Sequence, residues 1–398
     1  MKLIKDLFIN NCGDKVFDES FRSIYEQACA ELKASGVFFL KEEYIRAVNE
    51  ESAAYPRILG LLIEEADRIK RNTELSLYAL FIHKAMLNRE LYKKNIKHFS
   101  LPDGYELFAF LCLIPTILST HRTLTEMGID EDIVLATVKQ YEDCVFLYSQ
   151  RFDRLGMNKR YFDWLQHYVD CEILNINRLR FEIEYLKEPI RVLRNRYTGK
   201  DILVIEDGEF NSDGLYSDTP PLKDAAFYAG FNETDTEYVA SPVNEEGKAL
   251  PSSVRYKKTE YETIIKKGDA LLSVHIPAEG DFNGDTCKES YLRARDIFKH
   301  FFPEISVKGF TCYSWMMSPE LKLHMNPASR ILGFASHYLR FPIHTEGEDV
   351  LYFVFYLKFK SYEDLAEDTS LQRSLKKLYL SGEKLYEYGG IFAIDRIN

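Results

Sequence analysis

Up to about Arg180, apolar positions recur at helical spacing. Phe17, Phe21, Ile24, Ala28 and Leu32 fall at i, i+4, i+7, i+11 and i+15, one face of a helix, and Gly36 follows as its stop. Pro56 opens another helix carrying Ile58, Leu62, Ala66 and Ile69 inward. The same period predicts helices near 73–93, 105–119, 131–151, 158–168 and 170–184. No internal repeat and no low-complexity tract interrupts them.

The period changes after Leu186. IRVLRNRYTGKDILVIEDG reads as two short strands around a turn, with Gly199 supplying the positive φ a tight hairpin needs. Residues 211–258 are rich in Asp, Ser, Pro, Gly and Asn and predict strands and loops. Then DALLSVHIP (269–277) is a strand ended by proline, and AEGDFNG is a glycine-containing loop. Asn283 can cap a helix whose apolar stripe is Cys287, Tyr291, Ala294, Phe298 and Phe301. Pro303 ends that helix, and 305–315 reads as the next strand. Strand, loop, helix, strand is a βαβ unit, so the two strands should lie parallel. Helical segments near 319–338, an aromatic strand at 350–359, a helix near 369–382 and a last strand GGIFAI complete the chain. The expected fold is α+β with an α/β core: an all-helical domain over 1–150, then a mixed-sheet domain with flanking helices over 151–398.

Composition narrows the function. Hydrophobic residues make up 46% and charged residues 28%, a globular balance, and 27 Phe and 26 Tyr can fill a large core. The net charge of −11 argues against a nucleic-acid partner, which needs a basic surface. Seven scattered cysteines show no CxxC and no metal-ligand spacing, and HxxH and HExxH are absent, so no metal is assigned and a reducing, cytoplasmic compartment is the simplest setting. The most apolar run, Tyr105 to Leu118, holds Glu106 and Pro115 and is too short for a bilayer of about 30 Å, so no membrane association is expected.

A series of landmarks then comes in a telling order. They are DWLQHYVDCEILNINRLRFEI (163–183), His275-Ile276-Pro277, Cys287 with Ser290, Phe302-Pro303, Cys312-Tyr313-Ser314-Trp315, Ser329 with Ile331, and DTSLQR (368–373). In this order they resemble bacterial acyltransferase-domain proteins that join a helical N-acyltransferase N-terminal domain to a GNAT-like C-terminal domain. The resemblance implies an acyl-CoA donor, acetyl-CoA in the simplest case, and a small-molecule amine acceptor. It implies donor binding around Ile276, Gly280, Phe282, Asn283, Gly284, Ser290 and Arg330. Two departures stand out. The usual glycine-rich pyrophosphate loop is here AEGDFNGDT, with Glu279, Asp281 and Asp285, and Arg330 replaces a usual Asn.

Thioester-to-amine transfer needs a held pyrophosphate, a polarised carbonyl and a base for the ammonium proton. The 277–286 junction has the helix N-terminus and glycines for the first task, although any parallel βα loop contains glycine. His275, at the strand end, is the candidate base; the alternative is a core histidine bonded to backbone. Tyr313 or Ser314 can protonate the leaving thiolate, or simply pack and bond locally. Cys312 is discounted as a nucleophile because buried cysteine is common and GNAT-like transfer is direct. Ser290 lies beside the apolar stripe of its helix, so a buried helix–backbone hydrogen bond is the safer reading. The function expected is an acyl-CoA-dependent N-acyltransferase, and the competing reading is a catalytically silent GNAT-shaped binding protein.

Overall fold

The computed structural model describes residues 4–9, 19–95, 99–278, 280 and 282–397. Its chain divides into two compact units, Met1–Leu174 and Asn175–Asn398. Up to Val169 every described regular element is helical, the longer ones being α1 (Glu19–Ser35), α2 (Glu42–Ser52), α3 (Leu59–Lys70), α4 (Thr73–Leu87), α5 (Arg89–Asn95), α6 (Phe108–Glu126), α7 (Glu131–Phe152) and α8 (Lys159–Val169). Asn72 caps α4 through the amides of Glu74 and Leu75, and Asn158 caps α8 through that of Tyr161. The apolar run Phe108 to Ile114 is buried on all sides, so α6 forms the centre of this unit. Glu142, buried on α7, accepts from the Arg57 backbone N–H at 2.7 Å and pairs with the Arg57 guanidinium, so its charge is compensated. Among the described residues no helix is long and apolar enough to cross a membrane.

The segment 170–184, expected as helix, is instead two strands, β1 (Ile173–Ile176) and β2 (Leu179–Tyr185). Asn177 turns the chain at φ +52, a conformation asparagine tolerates. Leu179 and Phe181 then alternate inward at a period of two, which is the strand spacing. The remaining strands are β3 (Ile190–Asn195), β4 (Asp201–Ile205), β5 (Asp207–Phe210), β6 (Phe227–Glu233), β7 (Glu237–Pro242), β8 (Val254–Lys257), β9 (Tyr261–Lys266), β10 (Ala270–His275), β11 (Gly309–Ser314), β12 (Leu339–Pro342) and β13 (Tyr388–Ala393). One sheet runs β1-β2-β10-β11-β13-β12, and the other β5-β6-β7-β4-β3-β9 with β8 on β7. The predicted β3–β4 hairpin is present, with Gly199 at φ +68 in its turn.

Between the sheets lies an apolar layer that includes Val192, Ile205, Phe210 and Ile265 from one and Leu271, Phe341 and Ile391 from the other. The far face of the six-stranded sheet carries α9 (Gly284–Phe301). There Tyr291 meets Phe181, Phe310 and Phe392 edge-on, at centroid distances of 5.9, 5.0 and 5.4 Å.

The strand expected over 350–359 is also corrected. Residues Asp349–Phe353 form a short helix, α12, and Tyr356 and Leu357 then turn the chain with φ of +54 each. Composition favours a strand here, but Val350, Leu351, Val354 and Phe355 share a helical face turned toward Trp315, Leu375 and Leu378. Buried Glu387 accepts from the Gly347 and Asp349 amides at 3.1 and 2.9 Å, giving that helix start its acceptors. The segment 319–338 holds two short helices, α10 (Leu321–His324) and α11 (Arg330–Ala335). Ser370–Leu380 is α13, capped by Thr369. The expected class stands: a helical front followed by a mixed-sheet domain with flanking helices.

Candidate functional site

β10 and β11 lie side by side and parallel, as their spacing predicts, but only for three pairs: Leu271 with Gly309, Leu272 with Phe310, and Ser273 with Thr311. Each strand continues. Val274 and His275 stay paired with Phe181 and Arg180 of β2, while Cys312, Tyr313 and Ser314 stay paired with Gly390, Gly389 and Tyr388 of β13. Among the described residues these ends share no pair with each other. The sheet therefore parts between its two central strands, with each lip held by its outer neighbour.

The loop leaving β10 leads into the N-terminus of α9. Asn283 is its cap, accepting from the Thr286 amide at 3.0 Å. Gly284, the first helical residue, has open space where a Cβ would stand, and Gly280 adopts φ +90. The helix start is thus an anion site in form: N–H groups, a positive dipole end and backbone that a ligand can approach closely. Glu279 and Asp281 lie outside the described residues. Asp285 is exposed in the first turn.

One residue that the periodicity missed braces this loop. Arg178, in the β1–β2 turn, donates its guanidinium to the Pro277 carbonyl at 2.9 Å and lies 5.2 Å from the centre of the Phe282 ring. Its backbone N–H donates to Ser290 Oγ at 2.9 Å, and Ser290 in turn donates to the Thr286 carbonyl at 2.8 Å. Ser290 therefore lies fully buried between turn and helix. Phe282 packs on Phe334 at 5.1 Å, and Arg330, exposed, opens α11 one turn before Phe334. Ile276, half-buried, is the first residue beyond β10.

Alternation from the paired residues sets His275 and Tyr313 on one sheet face, one on each lip. His275 Nε2 lies 3.1 Å from Glu182 Oε1 on β2, and Tyr313 Oη donates to Glu188 Oε2 at 2.6 Å. Burial and then the nearby Glu188 charge push the Tyr313 hydroxyl far above its ordinary range, so it keeps its proton. Ser314 and Cys312 belong to the opposite face. Ser314 Oγ accepts from the Met316 amide at 3.1 Å, capping a short turn. Cys312 is buried, its thiol pushed up to about 12, which holds it protonated and unreactive. Glu182 and Glu188 were missed with Arg178. Reading 170–184 as a hairpin would have set Glu182 beside the strand of His275, whereas no local signal marks Glu188.

Residues 173–392 match the family model of the GNAT-like C-terminal domain. The chain belongs to this family. The GNAT-like domain is joined to a helical front, and the chain shares the fold of several solved structures. One is an acyltransferase in complex with decanoyl-CoA and teicoplanin, at 16% identity and TM-score 0.58 over 88% of each chain. Another is an acyltransferase in complex with CoA and 10C-teicoplanin, at 16% identity and TM-score 0.59 over 92% of this chain and 94% of that one. A third is an acyltransferase mutant in complex with octanoyl-CoA, at 16% identity and TM-score 0.57 over 88% of each chain. No curated protein matches.

Proposed function

We propose that this GNAT-like protein is an acyl-CoA-dependent N-acyltransferase, moving an acyl group from the CoA thioester to an amine. The observation that carries the reading is the parting of β10 from β11 beside the start of α9. The inner backbone of Val274 offers strand-like hydrogen bonds to the amide-bearing arm of CoA, and the Gly284 and Asp285 amides at the start of α9 offer a seat for its diphosphate. Phe282, Ile276 and Arg330 flank that seat.

The thioester carbon would then sit in the parting, near His275 and Tyr313. His275, with the Glu182 carboxylate against its Nε2, takes a proton from the ammonium. The neutral amine attacks the carbonyl carbon, and its second proton passes to solvent as the tetrahedral intermediate collapses. The C–S bond breaks, and the CoA thiolate regains a proton from the imidazolium or from solvent. Acetyl is the simplest acyl group. The solved relatives carry octanoyl and decanoyl chains, so these donors belong in the same test. A cytoplasmic setting, where CoA is at hand, fits a chain that shows no disulfide among its described residues.

Asp285 favours a second reading, a GNAT-shaped protein that binds without turnover, because an acid in the first turn of α9 already occupies the positive dipole end. Hydrogen exchange with and without CoA separates the two. A donor seated as proposed protects the amides of Val274, Gly284 and Asp285, and thiol release then tells enzyme from silent binder. Unchanged exchange at saturating CoA removes the seat altogether.

A further inference from the structure

Helix α9 and the proposed diphosphate seat take one face of the six-stranded sheet, which leaves the other face of the parting to the acceptor. Alternation along β2 puts Arg180, Glu182 and Glu184 on that other face, with His275 of β10 and Tyr313 of β11. Each acid there has a partner. Glu182 lies against His275 Nε2 at 3.1 Å, Glu184 pairs with Lys187 at 2.7 Å, and Glu188 accepts from Tyr313 at 2.6 Å. Arg180 has none. Its Nε is enclosed by protein without a hydrogen-bond partner, and among the described residues no carboxylate pairs with its guanidinium. The register makes Arg180 the direct cross-strand neighbour of His275, with Cβ atoms about 5 Å apart at the lip of the parting. A half-buried guanidinium left in this state is a planar fork of N–H donors shaped for two carboxylate or phosphate oxygens. Holding Nε away from water without an acceptor costs free energy that an incoming anion offsets.

We propose that Arg180 is an acceptor-binding residue, and that the acceptor is an amine carrying its own carboxylate a few bonds away, as an amino acid does. This rests on the acyl-transfer reading above and adds the acceptor class to it. The donor's diphosphate is drawn to the start of α9, on the opposite face, so the anion that fits Arg180 comes with the acceptor. The carboxylate docks on the guanidinium fork, and the amine beside it then lies at the lip of the parting. Glu182, two residues along the same strand, disfavours a bare anion at this place. A zwitterion brings a positive charge with its negative one and meets both signs.

The test compares L-alanine with ethylamine, which differ by the carboxylate and are both protonated at neutral pH. Thiol release from acetyl-CoA is measured for wild type, Arg180→Gln and Arg180→Lys. The expected result is a preference for alanine in kcat/KM that falls about tenfold in Arg180→Gln, with the KM for acetyl-CoA unchanged. Lys keeps the charge without the fork, so Arg180→Lys should recover part of the preference. A merely structural role would lower both acceptors equally, and an unchanged ratio overturns the proposal even if turnover drops. A raised KM for acetyl-CoA with an unchanged acceptor ratio assigns the guanidinium to a donor phosphate and overturns it too. Alanine binding, followed by NMR titration of the CoA-loaded protein, gives a readout that needs no turnover. Binding that weakens in Arg180→Gln without any thiol release supports the acceptor class while removing the acyl-transfer reading. Absence of both binding and release overturns both.

Discussion

His275 and Glu182 meet diagonally across two antiparallel strands. The register sets Glu182 opposite Ser273 and His275 opposite Arg180, yet Nε2 and Oε1 come within 3.1 Å. Diagonal neighbours in a sheet are within reach of long side chains, and here the carboxylate orients the ring at the lip of the parting. Replacing His275 by Ala should lower turnover on the order of a hundredfold, the usual worth of a positioned base, while CoA affinity hardly changes. The half-buried ring fills no core, so the melting temperature should stay close to wild type. Glu182→Gln should cost at least about tenfold in kcat through loss of ring orientation. Parallel melting and turnover measurements check both; a well-folded His275→Ala protein with normal turnover removes the residue from the mechanism.

Donor binding can be read as stability. At about 100 times its dissociation constant, CoA should stabilise the fold by roughly 2.7 kcal/mol, seen as a rise in Tm. Asp285→Asn, which removes an exposed negative charge from the first turn of α9, should tighten CoA several-fold by calorimetry. No heat and no shift at millimolar CoA would contradict the seat.

Two glycines should behave in opposite ways. A Cβ on Gly309 would lie 2.3 Å from the Phe392 carbonyl oxygen, a backbone atom that cannot swing aside. Gly309→Ala should therefore destabilise by about 1–3 kcal/mol in urea unfolding. Gly284 has open space at the same position, so Gly284→Ala should fold normally and weaken CoA about tenfold by crowding the diphosphate.

The helical unit carries its own pH signature. Burial pushes the Asp163 carboxyl up from 3.8 to about 6, against the opposing pull of the Tyr92 hydroxyl that donates to it at 3.0 Å. The folded chain holds this proton more tightly than the unfolded one. The stabilisation is full below about pH 4 and is lost as pH rises through about 6. Asp163→Asn keeps the Tyr92 acceptor and should flatten that slope. It should gain roughly 1–2 kcal/mol at pH 7, less than complete burial would give because the carboxyl keeps some of its water. Denaturation at pH 4 and pH 7 measures the difference.

The β10–α9–β11 unit was legible because three signals agree there: an apolar strand, a proline stop and an Asn-capped amphipathic helix. Together they also dictate the parallel pairing. The β1–β2 turn was not, because Asn177 at positive φ breaks a stretch whose apolar residues fit either period when counted over 170–184 as a whole. With it went Arg178 and Glu182, which reach the site only because that turn exists. Tyr313 and His275 could be read from alternation, but the partner of Tyr313 lies 125 residues earlier in a loop. No local pattern encodes so distant a pairing. The 350–359 segment misleads for a different reason: β-branched and aromatic composition speaks for a strand, and the helix start owes its acceptors to Glu387, far along the chain.

The most direct measurement of acyl transfer is thiol release from acetyl-, octanoyl- and decanoyl-CoA in the presence of a primary amine, paired with mass detection of the acylated product. The prediction is release that depends on the amine, matches the amide formed mole for mole, and falls about a hundredfold in His275→Ala. Saturable CoA binding with no amine-dependent release from any of the three donors would contradict it and leave a silent binding protein.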